Sequence, residues 1–288
     1  MSVVRLAFAR TAVTVLRAAP GRRGLRARTF AAAADGAVVP ARCLDADAVF
    51  LVTGANRGLG AQFVASLLER TTGTVVAACR DPAALAGRDR VDPQRLDVTD
   101  QDSIDALAGH LTEKYGRVDG VFSVAGILGD GDATPGPERA LAGIDRDWLR
   151  LSLDTNAVGP MMLTKAVAPL LRAKKPRPPS VLMHMSARVG SISDNGLGGW
   201  HSYRMSKACL NMAVKGASLE LKRHNCVVLA MHPGTCDTDL SKPFQKGIKP
   251  EKLLTAEFAV NSMLDVVDGL SVDQTGGYFD YAGVPIEW

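Results

Sequence analysis

Short apolar runs alternate with longer segments of helical periodicity along the chain from about residue 45 onward. The runs at 48–52 and 227–232 are uninterrupted and rich in branched residues, as buried parallel strands are. Segments such as 61–70 and 203–223 repeat their apolar residues at helical spacing. This alternation predicts an α/β fold with a single doubly wound parallel sheet of about seven strands flanked by helices.

The same pattern predicts the remaining elements. Further strands are expected at 74–80, 94–98, 118–125, 180–186 and 277–281. Further helices are expected at 101–115, 148–172 and 256–269. Pro160 falls inside the second of these helices and is expected to interrupt it, because proline lacks the backbone N–H. No internal repeat is found, so residues 45–288 are predicted to form one domain.

The first 34 residues differ in composition from the rest. They carry seven arginines and no acidic residue, and arginines interrupt their apolar stretches. This is typical of an organellar transit peptide and unlike a secretory signal, although a disordered basic tail and a surface membrane helix remain alternatives. We expect residues 1–34 to direct import into the mitochondrial matrix. A chloroplast address is the alternative, and without import the protein would be cytoplasmic.

Charge and cysteine content exclude several classes of protein. The chain has 288 residues, of which 47% are apolar, and a net charge of +4. Without its first 34 residues it is slightly acidic, so no nucleic-acid partner is expected. No apolar stretch reaches the length of a membrane span. The five cysteines show no CxxC pair and the histidines do not cluster, so no metal site is expected.

A glycine-rich turn follows the first predicted strand and opens the first predicted helix. Its sequence is Thr-Gly-Ala-Asn-Arg-Gly-Leu-Gly at 53–60. Glycines let backbone N–H groups approach a phosphate closely, and the helix N-terminus adds a favourable dipole. The turn therefore predicts a dinucleotide site formed by Gly54, Asn56, Arg57, Gly58, Leu59 and Gly60. A glycine-rich turn without a ligand is the alternative.

Two arginines favour a phosphorylated cofactor. A dinucleotide without a 2′-phosphate usually meets an acidic residue near the end of the second strand, where it bonds the ribose hydroxyls. Arg80 occupies that neighbourhood here, and Arg57 lies in the glycine turn. Guanidinium groups hold a phosphate by paired, charge-assisted bonds. We therefore expect NADP(H), with NAD(H) still possible because Asp81 could bind a ribose.

Tyr203 and Lys207 lie four residues apart and so share one helix face. An ammonium group near a tyrosine stabilises the phenolate and is expected to lower the pKa of the hydroxyl from its usual value of about 10. Such a pair can protonate a carbonyl oxygen or deprotonate an alcohol. Ser186 ends the preceding strand and could donate a hydrogen bond to the same oxygen. A surface Tyr–Lys pair would look identical in sequence.

Taken together, these motifs resemble the short-chain dehydrogenase/reductase family over essentially all of 48–288, and its C-factor-like, sniffer-type carbonyl reductase branch in particular. The resemblance rests on Thr-Gly-x-x-x-Gly-x-Gly at 53–60, Asp97, Ala125-Gly126, Asn156, Ser186, Tyr203-x-x-x-Lys207, and Pro233-Gly234 with Thr238. It implies a Rossmann-type NAD(P)-binding domain. It also implies an oxidoreductase of the carbonyl reductase or alcohol dehydrogenase type acting on a small carbonyl compound or secondary alcohol.

The resemblance also implies residue roles. Asn156, Ser186, Tyr203 and Lys207 would form a catalytic tetrad in which Asn156 holds a water that links Lys207 to solvent. Tyr203 would be the general acid or base, and Lys207 would also bind the nicotinamide ribose. The other cofactor contacts implied by the family are Asp97, Val98, Ala125, Gly126, Pro233, Gly234 and Thr238.

The resemblance also bears on the oligomeric state, and the chain differs from the family pattern in two places. Family members usually pair through two long helices, which implies a homodimer or homotetramer. The family often has Asn-Asn-Ala-Gly where this chain has Ser-Val-Ala-Gly at 123–126. The loop at 194–201 is longer than usual, and Trp200 within it could stack on a planar substrate or pack under the loop. A low-turnover cofactor-sensing or signalling protein and an NAD-dependent dehydrogenase remain alternatives.

Overall fold

A seven-stranded parallel sheet forms the centre of the protein in a computed structural model, which describes residues 47–129, 136–174 and 177–288. The predicted fold class is therefore confirmed, whereas the predicted leader at 1–34 lies outside the described residues. The sheet strands are β1 (Val49–Thr53), β2 (Thr74–Cys79), β3 (Val91–Arg95), β4 (Gly120–Ser123), β5 (Ser180–Met185), β6 (Cys226–His232) and β9 (Gly277–Asp280). Two further short strands, β7 (Thr235–Cys236) and β8 (Leu253–Leu254), pair separately.

Helices cover both faces of the sheet. They are α1 (Gly58–Arg70), α2 (Gln101–Lys114), α3 (Arg146–Leu153), α4 (Gly159–Val167), α5 (His201–Leu221) and α6 (Ala256–Gly269). Helices α1 and α6 pack on one face, where Phe63 and Met263 meet Phe50 and Val52 of β1. Helices α2, α4 and α5 pack on the other face. Because both faces are covered, the inner strands are apolar throughout, which explains their uninterrupted runs in the sequence.

The sheet order places a crevice beside β1. The strands run in the order β3-β2-β1-β4-β5-β6-β9, so the chain returns from the β3 edge to β4 on the far side of β1. Strand order reverses at this point, and ligands of open parallel sheets bind outside the carboxyl ends of such strands. Within the described segments, no helix has the length and apolar character needed to cross a bilayer.

Two predicted elements differ from the structure. The third strand was expected at 94–98 but spans Val91–Arg95, with Pro93 inside it. Proline is tolerated there because β3 is an edge strand, where one row of N–H groups needs no partner. The helix expected over 148–172 begins at Arg146 and is divided by a π-helical turn at Asp154–Val158, immediately before α4. Pro160 lies in the first turn of α4, so the predicted interruption falls at the π-helical turn immediately before the proline.

Candidate active site

The glycine turn is shaped by close backbone contacts. A Cβ on Gly60 would lie 2.1 Å from the Gly54 carbonyl oxygen, so glycine alone fits there. Gly54 and Gly58 have φ angles of +69° and +52°, which other residues rarely adopt. Helix α1 begins at Gly58, and its N-cap residue, Arg57, makes no capping hydrogen bond with its side chain. Its first N–H groups are therefore directed at the crevice with no capping side chain as acceptor.

The end of β1 is tied to its neighbours on both sides. Thr53 Oγ1 accepts hydrogen bonds from the backbone N–H groups of Val124 and Ala125, at 3.0 and 3.1 Å. The N–H of Ala55 donates to the Ala78 carbonyl at 3.2 Å. These bonds bring the glycine turn against the segment after β4. Although the sequence at 123–126 differs from the family pattern, the segment after β4 is still hydrogen-bonded to the end of β1 through Thr53.

Arg57 and Arg80 are both exposed at the rim of the crevice. Among the described residues, neither guanidinium forms an ion pair. Asp81 instead accepts a hydrogen bond from the Ala83 N–H at 3.2 Å. Asp97 accepts hydrogen bonds from the N–H and hydroxyl of Thr99, and these bonds, with a smaller contribution from the nearby charge of Arg80, lower the pKa of Asp97. Asp81 and Asp97, the two carboxylates near Arg80, thus each have hydrogen-bond partners of their own.

The other predicted cofactor residues lie around this rim. Asn56 is exposed, and Leu59 packs partly against the core below the turn. Thr238 reaches the turn, since a Cβ on Gly58 would meet its methyl group at 3.6 Å. Val98 is buried, and its carbonyl packs so closely on Gly159 that a Cβ there would be 2.2 Å away. The contacts that anchor Val98 are therefore to α4.

Pro233, Gly234 and Cys236 follow β6 at the same edge. Gly234 has a φ of +78° and is packed under Leu254 and Tyr281. The Cys236 thiol donates to the Pro233 carbonyl at 3.3 Å. Burial raises the pKa of this thiol to about 12, so it does not form a thiolate at neutral pH. A catalytic cysteine at this position is thereby disfavoured.

Asn156 lies in the π-helical turn and is fully buried. Its Oδ1 accepts from the Ile127 N–H at 2.8 Å, while its Nδ2 donates to the Ile127 carbonyl at 2.9 Å and to Ser206 Oγ at 3.1 Å. Asn156 therefore connects the segment after β4 to α5. A Cβ on Gly126 would lie 2.9 Å from Asn156 Oδ1 and 3.5 Å from Lys207 Nζ, so the two side chains flank this glycine.

Tyr203 and Lys207 share one face of α5, as their spacing predicts. Lys207 Nζ lies 5.7 Å from the centroid of the Tyr203 ring and donates to the Met185 carbonyl at 2.9 Å. Within the described residues, the Tyr203 hydroxyl makes no hydrogen bond to protein. Ser186 stands at the end of β5 beside them. The four residues expected to form a tetrad thus lie around the carboxyl ends of β4 and β5.

The pKa values differ from the sequence-based expectation. The pKa of Tyr203 is raised, chiefly because its phenolate would lose hydration, with a further contribution from Tyr278. Burial also lowers the pKa of Lys207 to about 8. The expected lowering of the Tyr203 pKa by Lys207 is therefore not found in the protein alone. Lys207 is buried and Tyr203 is half-buried, and the loss of hydration favours the neutral form of each.

Two functional candidates were missed in the sequence. Ser186 Oγ donates to Asn211 Oδ1 at 2.6 Å, and Asn211 Nδ2 donates to the Gly190 carbonyl at 3.2 Å. Asn211 follows Lys207 by four residues, so its helical spacing could have revealed it. Tyr278, on β9, donates to the Ala187 carbonyl at 2.6 Å and is 2% exposed. Nothing in the sequence near Tyr278 indicates that position.

Aromatic rings line the mouth of the site. The centroid of Trp200 lies 6.3 Å from that of Tyr203 and 5.2 Å from that of Phe244. Trp200 is partly buried, so its ring both packs against the loop and borders the space beside Tyr203. No group of metal-ligating side chains occurs in the portion of the chain that the structure describes.

Comparisons with known proteins agree with this geometry. The family model for short chain dehydrogenase matches residues 48–249. A 1-hydroxy-2-glutathionyl-2-methyl-3-butene dehydrogenase of Rhodococcus sp. (strain AD45) is 32% identical over 238 residues, covering 83% of this chain and 98% of the relative.

Solved structures of carbonyl reductases are also similar. The carbonyl reductase Sniffer of D. melanogaster has a TM-score of 0.73 and 27% identity, covering 84% of this chain and 99% of that one. An NADPH-bound carbonyl reductase from chicken fatty liver has a TM-score of 0.73 and 28% identity over the same shares of both chains. The resemblance to sniffer-type carbonyl reductases is thus confirmed, and the chain belongs to the short chain dehydrogenase family.

Proposed function

We propose that the protein is an NADP(H)-dependent carbonyl reductase, or an alcohol dehydrogenase in the reverse direction. The observation that carries the proposal is the position of Tyr203 and Lys207. They lie one helical turn apart on α5, with Lys207 Nζ beside Gly126 and hence beside the glycine turn. A proton donor is thereby held next to the edge of the sheet at which dinucleotides bind.

The residues at this edge fit a phosphorylated dinucleotide. The uncapped start of α1 offers N–H groups to a pyrophosphate. Arg57 and Arg80 are exposed and without ion pairs among the described residues, so both are available to a 2′-phosphate. Asp81, the residue that could favour NAD(H), is hydrogen-bonded to Ala83. The carbonyl reductase from chicken fatty liver, whose structure contains NADPH, agrees with this preference.

Tyr203 is the proton donor for carbonyl reduction in this proposal, and the bound nicotinamide supplies the hydride. The Tyr203 hydroxyl is protonated at neutral pH and can serve as the acid, but its raised pKa makes it a weak one unless the phenolate is stabilised as the proton leaves. As the proton leaves, negative charge develops on the phenol. Lys207, when protonated, lies close enough to stabilise that charge. In alcohol oxidation the same groups act in reverse.

Ser186 and Asn156 support this proton transfer. Ser186 is placed to donate a hydrogen bond to the substrate oxygen once its hydroxyl turns from Asn211. Asn156 is proposed to hold a water that connects Lys207 to solvent. Its side chain is fixed by Ile127 on one side and Ser206 on the other. The proposed water would therefore be bound by an Asn156 whose side chain is already fixed.

Turnover on a substrate panel tests the proposal. Purified protein is mixed with NADPH or NADH and with ketones, aldehydes and quinones, and the loss of absorbance of the reduced cofactor is followed. We expect oxidation that depends on the carbonyl compound and is faster with NADPH. Tight NADPH binding without turnover on any compound would instead indicate a cofactor-sensing protein. Faster turnover with NADH would indicate an NAD-dependent dehydrogenase.

We also propose that the protein forms a homodimer or homotetramer through α5. Met205, Met212 and Leu219 are spaced by seven residues and are 49%, 72% and 70% exposed. This spacing places them on one side of the helix. Met161, on the neighbouring α4, is 40% exposed. Large apolar side chains exposed along one helix are typical of an interaction surface, and we propose that a second copy covers them.

Molar mass in solution tests the assembly. Met212→Glu is expected to reduce the mass measured by light scattering to that of a monomer, because a charge would be buried in the interface. Leu141 is 73% exposed on a 3₁₀ turn that is not part of α4 or α5, so Leu141→Glu serves as the control. A wild-type protein that is monomeric at micromolar concentration would contradict the proposal.

Finally, we propose that residues 1–34 direct the protein to the mitochondrial matrix. The support is that this segment contains seven arginines and no acidic residue, a composition typical of mitochondrial import signals. A fusion of residues 1–34 to a fluorescent protein is expected to enter mitochondria. Replacing the seven arginines by glutamine should leave it in the cytosol. Accumulation in chloroplasts, or no import, would contradict the proposal.

A further inference from the structure

Helix α5, which carries Tyr203 and Lys207, begins without a cap of its own. Its N-cap residue is Trp200, whose side chain cannot accept a hydrogen bond. Trp200 is also held at φ +53° and ψ +40°, a left-handed conformation that is costly for a bulky residue. The first turn of the helix therefore needs an acceptor from elsewhere, and the strained residue needs something to hold it.

Glu138 provides both from a distant loop. It is 7% exposed, and its Oε2 accepts from the Ser202 N–H at 3.1 Å. Its Oε1 accepts from the Ser202 hydroxyl, and Ser202 is completely buried. Its own backbone carbonyl accepts from the Trp200 N–H at 2.5 Å. Glu138 thus forms hydrogen bonds to Ser202 and to Trp200, which precede Tyr203 by one and three residues.

The remaining contacts at the helix start involve Arg204. Its guanidinium donates to the carbonyls of Val189, Gly198 and Gly199, at 2.9–3.2 Å. These bonds hold the loop before Trp200, but none reaches the N–H groups of the first helical turn. Glu138 is therefore the described side chain that accepts from this turn.

We propose that Glu138 is a positioning residue for catalysis. It does not touch the reacting atoms, but it fixes the start of α5 and with it the Tyr203 hydroxyl and the Trp200 ring. A carboxylate also interacts favourably with the positive end of the helix. This inference rests on the proposed function, since it concerns the geometry of the same reaction. In this proposal, the loop after β4 sets the position of the proton donor, Tyr203.

Glu138→Gln tests the proposal with little change in size. Glutamine replaces one of the two carboxylate oxygens by an NH2 donor, so both contacts to Ser202 survive only if the Ser202 hydroxyl turns from donor to acceptor, and the negative charge at the start of α5 is lost. We expect kcat to fall by about 10- to 100-fold, because a displacement near 1 Å at a reacting group has effects of that order. The Kd for NADPH should change less than about twofold, since the glycine turn and the arginines are untouched.

A matched control separates positioning from stability. Asp92 is also a buried acid, 8% exposed, and accepts hydrogen bonds from His110 and Tyr115 at the far edge of the sheet. Asp92→Asn should lower the Tm as Glu138→Gln does, yet leave kcat unchanged. Equal effects of the two substitutions on kcat would overturn the proposal. Ser202→Ala removes one of the two side-chain bonds and serves as the milder variant if Glu138→Gln fails to fold.

A readout independent of turnover keeps the test separate from the proposed function. The chain has three tryptophans, and the emission of Trp200 is obtained by subtracting the spectrum of Trp200→Phe. Glu138→Gln should shift this emission and speed amide exchange at residues 202–206, whether or not a substrate is found. Unchanged emission and unchanged exchange would overturn the inference. Absence of wild-type turnover alongside the expected shifts would count only against the proposed reaction.

Discussion

Ser186 donates its hydroxyl hydrogen to the side-chain oxygen of Asn211, at a distance of 2.6 Å. Both residues are buried, and Asn211 is itself held by the Gly190 carbonyl. The serine proposed to bind the substrate oxygen is thus oriented by a residue one turn beyond Lys207. Tyr203, Lys207 and Asn211 therefore form one row along α5.

Asn211→Ala is expected to reduce kcat/KM by about tenfold, which corresponds to the loss of one buried hydrogen bond. The Ser186 hydroxyl would rotate without a fixed partner, while the cofactor contacts would remain. Steady-state kinetics and NADPH titration measure the two effects. Asn261→Ala, on α6 across the sheet, is the control and should change neither. An equal loss of NADPH affinity in Asn211→Ala would contradict this role.

Tyr203→Phe is expected to lower turnover by about 100- to 10,000-fold, the usual contribution of a general acid or base. The ring and its packing against Trp200 remain, so the Kd for NADPH should be nearly unchanged. Tyr115→Phe removes a hydroxyl that bonds Asp92 far from the crevice, and it should retain full turnover. Comparable activity of Tyr203→Phe and the wild type would exclude Tyr203 as the proton donor.

Arg80→Glu is expected to weaken NADPH binding by about 10- to 100-fold, as the loss of a charge-assisted bond predicts. NADH binding should change much less, because NADH has no 2′-phosphate. The ratio of the two Kd values, measured by fluorescence titration, is the result that matters. Arg172→Glu controls for net charge, because Arg172 precedes β5 and lies at the amino ends of the strands, away from the crevice. A ratio that does not change would contradict the phosphate assignment.

Stability should fall as the pH is lowered from about 6.5 to 4. Burial lowers the pKa of His184 and of His232 to about 4, from an ordinary value of 6.5. In this interval the unfolded chain binds protons at both residues and the folded protein does not, so acid favours unfolding. Each histidine contributes up to about 1.4 kcal/mol per pH unit. The pKa of Asp92 is about 2, so its contribution is lost only below this interval.

Urea unfolding at several pH values measures this slope. His184→Gln and His232→Gln should each make the free energy of unfolding less dependent on pH, whatever their effect on its value at pH 7. A slope that neither His184→Gln nor His232→Gln changes would show that other groups cause the acid sensitivity.

Most of the fold followed from local patterns in the sequence. Uninterrupted apolar runs identified the inner strands because both faces of a covered parallel sheet are buried. The pattern failed at β3, since Pro93 is acceptable only at an edge, and strand order is not encoded locally. It also missed the π-helical turn that directs Asn156 into the site, because no local signal separates that turn from an α-helix.

The sequence by itself determined the glycine turn and the Tyr203–Lys207 pair, because each depends on residues a few positions apart. The tertiary structure alone decided the partners around these groups. Asn211 accepts from Ser186, Tyr278 donates to the Ala187 carbonyl, and Glu138 accepts from Ser202 at the start of α5. It also decided that Tyr203 would have a raised pKa and Lys207 a lowered one. Burial sets those values, and burial depends on segments that are distant in the chain.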